Sequence, residues 1–236
     1  MADLANQSRD FASDLQTLLR ACFNGNHDIR AIPGAGERFT VQPFSENSPN
    51  ASIPLTVKGE HLAELSFTYF LALDHEAEHL KAVRSDFIVK SVLDRTPLFR
   101  LEYLSDMRNK PIAHWQVHAE RGSLTHLLTH AWQKNNRKHK EPHLLESLHL
   151  PVGGERFRPC LEDLVQFLID ECGVDGRRSW RKAVEAGRLD WRKRQLASAV
   201  RDDPTTSASA LTNLGYTVIE LKTGAREPRT EALRAW

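Results

Sequence analysis

The sequence predicts an α+β fold, an antiparallel β-meander of about five strands covered by N- and C-terminal helices. Three observations lead there. Apolar residues recur at helical spacing near the start, switch to a period of two between Ile53 and Glu120, and return to helical spacing after Gly122. The alternating runs are separated by short polar breaks, the mark of hairpins. Strands grouped together and then followed by helices argue against a parallel, doubly wound sheet.

Residues 1–52 read as an N-terminal helix and connector. Leu4, Phe11, Leu15, Leu18, Leu19 and Phe23 define one helical face within residues 3–23, and Asn24-Gly25 ends the pattern. Residues 24–52 are rich in Gly, Pro, Asn and Ser, with a short strand at Phe39–Phe44. The core spans 53–172. In Leu62–Leu73, Ala63, Leu65, Phe67, Tyr69, Leu71 and Leu73 share one face, and Glu64, Ser66 and Thr68 the other. Leu80–Val92, Leu98–Leu104 and Ile112–Glu120 continue the run. Breaks fall at Lys58-Gly59-Glu60, Asp74–His79, Asp94–Pro97 and Ser105–Pro111. One face of this meander is expected to pack and the other to be wetter.

A helix over Ser123–Gln133 follows, then a basic loop at Asn135–Pro142 and a mixed stretch at Leu144–Pro159. The core closes with a strongly amphipathic helix over Leu161–Cys172, stopped by Gly173. Residues 173–236 read as a basic helical region with a frayed tail. A helix spans Arg177–Val200, a second spans Thr206–Leu214, and Tyr216–Leu221 has the composition of a strand.

The 236 residues are 40% hydrophobic and 27% charged, ordinary globular values that exclude wholesale disorder. The net charge of +1 arises from 32 basic and 31 acidic residues, so the chain as a whole steers toward neither nucleic acid nor membrane. The opening MADLANQSRDF lacks the layout of a signal peptide, and no stretch approaches the roughly 20 apolar residues of a membrane span. A cytoplasmic protein without membrane association is expected. Cys22, Cys160 and Cys172 lack metal-type spacing and read as free buried thiols of a reducing compartment. There is no phosphate loop, dinucleotide fingerprint, nucleophile elbow or cysteine zinc module, and no cofactor is implied.

Eleven histidines are a high count. The period of two puts His114, Gln116, His118 and Glu120 on one face of Ile112–Glu120 and Trp115, Val117 and Ala119 on the other. Adjacent strands would add Arg100 and Glu102, or Arg84 and Asp86. Imidazoles, a carboxylate and a guanidinium together could run general acid–base chemistry on a phosphodiester. They could equally form a solvated sheet face. His114 and His118 lie ~13 Å apart along a strand, so the catalytic version needs a third histidine, His149, with Arg100 or Arg158 against the phosphate. His126 and His130 have the i,i+4 spacing of zinc ligands but lack the glutamate of a zincin. The acids and histidines of Asp74–His79 suit a hairpin tip.

A second set is basic. Arg177, Arg178, Arg181, Lys182, Arg188, Arg192, Lys193, Arg194 and Arg201 stand against Glu185 and Asp190 only, a local charge of +7. Trp180 and Trp191 supply packing or stacking surface there. Lys134, Arg137, Lys138 and Lys140 form another basic cluster. Such concentration suits phosphate-backbone binding. The alternative is a charged face balanced by Glu162, Asp163, Asp170 and Glu171.

Phe99-Arg100-Leu101-Glu102-Tyr103, His114-Trp115-Gln116-Val117-His118, His149-Leu150-Pro151-Val152 and Arg156-Phe157-Arg158-Pro159 occur in that order before the helix at Leu161. This order resembles small bacterial proteins, most of them uncharacterised, of toxin–antitoxin and phage-defence neighbourhoods, the TumE-like toxin family included. The resemblance covers roughly residues 53–172. The two-histidine cluster typical of the toxins is not matched, and the chain adds an N-terminal helix and a basic C-terminal region. The resemblance implies a nucleic-acid-associated toxin or defence component, with His114, His118 and His149 as the positions carried over. Two expectations stand side by side: a metal-independent, ribonuclease-like protein that contacts RNA or DNA, and a non-enzymatic module that binds a cognate protein.

Overall fold

The computed structural model describes residues 4–46, 48, 51–74, 76–93, 96–107, 111–118, 150–152, 156, 158–220 and 227–229. Among these residues eight strands form one antiparallel sheet: β1 (Asp28–Pro33), β2 (Phe39–Phe44), β3 (Ile53–Val57), β4 (Glu60–Leu73), β5 (Leu80–Ser91), β6 (Pro97–Leu104), β7 (Ala113–Val117) and β8 (Leu150–Pro151). The helices are α1 (Leu4–Cys22), α2 (Leu161–Asp170), α3 (Trp180–Asp202) and α4 (Pro204–Asn213). The fold is α+β, as expected, but richer in strands than a five-stranded meander.

The strand order is β1-β2-β4-β5-β6-β7-β8. The 14-residue β4 has two neighbours on one edge. Its first half pairs with β3, as in Leu55 opposite Ala63, and its second half with β2, as in Val41 opposite Tyr69. The β3–β4 turn is Lys58-Gly59, both at positive φ (52° and 80°). A two-residue hairpin loop of that hand matches the twist of the strands, and glycine takes the conformation without strain. Asp175 fastens this turn from outside. Its carboxylate accepts from the Lys58 and Gly59 amides and the Thr56 hydroxyl at 2.8–2.9 Å.

The period of two in β4 decides the core. Leu65, Phe67, Tyr69 and Leu71 are buried, and with Phe87, Val89 and Leu101 they face the helices. From α1 come Phe11, Leu15, Leu18 and Leu19, and from α2 come Leu161, Leu164, Val165 and Leu168. Tyr69 stands at the centre, edge-on to Phe11 at 4.9 Å and to Phe87 at 5.4 Å. The α2 start is tied by Asp163, whose carboxylate accepts from the Cys160 amide at 3.0 Å. The β4–β5 tip is tied to α1 through Gln7, which donates to the Glu78 carbonyl and accepts from the Leu80 amide. α3 packs across α1 and α2 with only Val184 and Asp202 buried, and α4 buries nothing.

Several expectations are corrected. β1 lies within the stretch read as connector. It is a polar edge strand with one buried residue, Ile29, so no alternation marks it. β8 is two residues long, too short to carry a period. Residues 216–220 form no strand. Val218 and Ile219 are exposed there, and β propensity counts only where a neighbouring strand accepts it. Cys22 and Cys160 are buried, but Cys172 is exposed. The Ser123–Gln133 helix, the Asn135–Pro142 loop, the histidine pair His126 and His130, and the residues His149, Lys138 and Lys140 lie outside the described residues.

Candidate functional site

The sheet face opposite the helices gathers the polar ladder expected from the sequence. Register places Glu102 between Asp86 and His114, and Arg100 between Ile88 and Gln116. Arg84 pairs with Asp86 at 2.7 Å, Nε2 of His114 lies 3.4 Å from Glu102, and Arg100 approaches the same carboxylate at 3.9 Å. The Glu102 carboxyl is held below the usual carboxylate range, chiefly by its hydrogen bond with His114, against the opposing effect of burial. Burial instead raises Asp86, more than Arg84 lowers it.

The face is not wet at β7. His114 is 1% exposed and Gln116 7%, while Val117, expected in the core, is 44% exposed. Nδ1 of His114 donates to the Pro111 carbonyl at 2.9 Å, while Nε2 faces Glu102. The ring thus sits between the Pro111 carbonyl and the Glu102 carboxylate with almost no access to solvent. His118 follows the end of β7, its amide bonded to the Leu98 carbonyl. Arg158 does not join them. Its guanidinium stacks on Tyr103, which belongs to the helix-facing side, so the sheet separates it from His114.

The basic helix is also partly neutralised. Arg188 and Arg192 reach Asp163 at 2.7 and 3.4 Å, Arg181 reaches Asp170 at 3.0 Å, and Arg194 reaches Asp14 at 3.3 Å. Arg177 donates to the Arg20 carbonyl. The balancing acids foreseen in Asp163 and Asp170 are thus in place. Arg178, Lys182 and Lys193 are exposed.

Five arginines, three of them paired with Asp14 or Asp202, converge elsewhere. A cleft of about 510 Å³ opens between α1, the β4–β5 tip and the second half of α3. One helical stripe of α3 lines it: Trp191, Arg194, Gln195, Ser198, Arg201 and Asp202. Arg156, Arg158 and Arg229 enter from the other segments. Arg158 is 5% exposed, with its guanidinium carbon 3.7 Å from the Tyr103 ring centroid and 5.0 Å from that of Trp191. Asp202, 2% exposed, holds Arg156 and Arg229. Arg201 donates to Ser198 Oγ at 3.0 Å. A buried cation between two aromatic rings, beside further guanidinium groups, suits an anionic ligand with a flat apolar part.

The sequence reading singled out Arg158, Arg194, Arg201 and Trp191, but not that they meet. Tyr103, Arg156, Gln195, Asp202 and Arg229 were missed. The spacing of Trp191, Gln195, Ser198 and Asp202 within an arginine-rich helix is the signal that was available.

A separate buried carboxyl, Glu162, faces a smaller cavity of about 280 Å³ between α1 and α3. Burial pushes it above the usual range, and the same burial drives the Cys22 thiol up to about 12. Among the described residues no three His, Cys, Asp or Glu side chains group as metal ligands do, and no helix is long and apolar enough to cross a membrane. No family model, no curated protein and no solved structure matches the chain.

Proposed function

We propose that the protein binds single-stranded nucleic acid through the arginine cleft, as a nucleic-acid-associated component of the toxin–antitoxin or phage-defence kind. The observation that carries this reading is Arg158, buried and stacked between Tyr103 and Trp191 in a cleft that also holds Arg156, Arg194, Arg201 and Arg229. Single strands are held by such a combination, cations for the backbone and flat groups for the bases. The exposed Lys182 and Lys193 on the same helix, and Arg178 just before it, extend the basic surface. The ribonuclease-like version has less support, because His114 is sealed and Arg158 lies across the sheet from it, leaving Arg100 beside it on Glu102. Fluorescence anisotropy with a labelled single-stranded RNA or DNA tests the reading. Binding should be clear at low salt and weaken steeply toward moderate salt. No binding at low salt would overturn it.

A second reading rests on a different observation. Leu189, Leu196, Val200, Leu211, Leu214 and Ile219 are all 42–76% exposed on α3, α4 and the segment after them. Apolar surface of this extent fits a module that docks a cognate protein. Binding to that partner should change little with salt.

A further inference from the structure

Within the cleft, Nε1 of Trp191 and Oε1 of Gln195 are buried with no hydrogen-bond partner among the described residues. One is a donor and the other an acceptor, and they belong to residues four apart, neighbours on one face of α3. Buried polar groups left unpaired are costly, so such a pair marks where a ligand or an ordered water belongs. The Watson–Crick edge of every nucleobase offers an acceptor beside a donor, the complement of this pair.

The next turn of the helix supplies charge. Arg201 leans back along α3 to Ser198, placing its guanidinium at the level of Ser198. Ser198 lies three residues beyond Gln195, a rise of ~4.5 Å. A base edge and its phosphate would thus meet successive turns of one helix face. Arg158, its guanidinium already stacked on Tyr103 and Trp191, adds positive charge alongside.

We infer that the cleft is a subsite for one nucleoside 5′-phosphate, its base edge paired with Trp191 Nε1 and Gln195 Oε1 and its phosphate held by Arg201 and Ser198. This deepens the proposed nucleic-acid reading and rests on the cleft as its contact site. The nucleotide is either free or the 5′-terminal unit of a strand, and the chemistry recognised is the same.

Calorimetric titration of the full chain with cytidine 5′-monophosphate, cytidine and inorganic phosphate tests the assignment. The monophosphate should bind at least about tenfold more tightly than either fragment. Trp191→Phe keeps an aromatic ring beside Arg158 and removes the donor. It should weaken the monophosphate by roughly threefold to tenfold and leave phosphate binding unchanged. Arg201→Gln should weaken both by about tenfold. Gln195→Leu is the second base-edge variant should Trp191→Phe melt early. A 5′-phosphorylated oligonucleotide that displaces the monophosphate better than its 5′-hydroxyl twin assigns the site to strand ends, and absence of displacement assigns it to the free nucleotide. Phosphate binding as tightly as the monophosphate, no monophosphate binding, or unchanged affinity in the base-edge variants overturns the inference. In those cases salt-sensitive oligonucleotide binding would still stand for the broader reading, which fails only when that binding is absent.

Discussion

Arg158 lies with its guanidinium carbon 3.7 Å from the ring centroid of Tyr103, and only 5% of its surface reaches solvent. The stack joins the sheet to α3 through Trp191 on the other side. A planar guanidinium does this and a lysine ammonium does not. Arg158→Lys should therefore cost about 2 kcal/mol in urea unfolding, the scale of a desolvated cation–aromatic contact. Unchanged stability would mean the stack contributes nothing to the fold.

Gly187 faces Glu162 across the α2–α3 contact. A Cβ at Gly187 would meet Oε1 of Glu162 at 2.5 Å and its Cγ at 3.1 Å. Alanine is the better helix former by about 1 kcal/mol. Gly187→Ala should nonetheless destabilise, by about 1 kcal/mol, because the buried carboxyl must move. In the Glu162→Ala background the same change should turn neutral or stabilising. Equal effects in both backgrounds would show that the contact is not the cause.

The two perturbed carboxyls predict opposite pH responses. Burial raises Glu162, so its contribution is favourable in acid and is lost as pH rises past the usual carboxylate range. Glu162→Gln should be more stable than the parent at neutral pH, with the gap closing below about pH 4. His114 lowers Glu102, so its contribution is present at neutral pH and lost as pH falls. Glu102→Gln should destabilise at neutral pH and converge on the parent in acid. Chemical denaturation across pH checks both signs. A gap independent of pH in either variant would contradict the assignment.

His114→Ala separates a strut from a catalyst. A histidine sealed at 1% exposure, bonded to Pro111 and facing Glu102, should cost about 2 kcal/mol or more when truncated. An exposed catalytic histidine would leave the melting temperature nearly unchanged. Thermal unfolding decides, and an unaltered melting temperature would return His114 to the candidates for acid–base chemistry.

The parts of the fold that could be read in advance are those where one physical signal dominates. The alternation through Leu65, Phe67, Tyr69 and Leu71 needs only one buried face, and the Lys58-Gly59 turn needs only its glycine. β1 and β8 escaped because their pairing is set by neighbours, not by their own pattern. The polar ladder of Asp86, Glu102 and His114 followed from period and hairpin order. Its burial did not, since periodicity assigns a residue to a face but not what covers that face. The charge of α3 was visible, while its neutralisation by Asp14, Asp163 and Asp170 depends on helix packing. The cleft joins α1, a hairpin tip and α3, three segments far apart in the chain, so no local pattern contains it.

The central claim is that the cleft arginines contact nucleic acid. The most direct test is the salt dependence of single-stranded RNA binding for the parent and for an Arg194→Gln, Arg201→Gln double variant. Each phosphate contact on a single strand contributes about 0.7 to the slope of log affinity against log salt concentration. Loss of both arginines should weaken binding at low salt and flatten that slope by roughly 1.4. A double variant with the parent's affinity and slope would contradict the account and move any nucleic-acid contact away from the cleft.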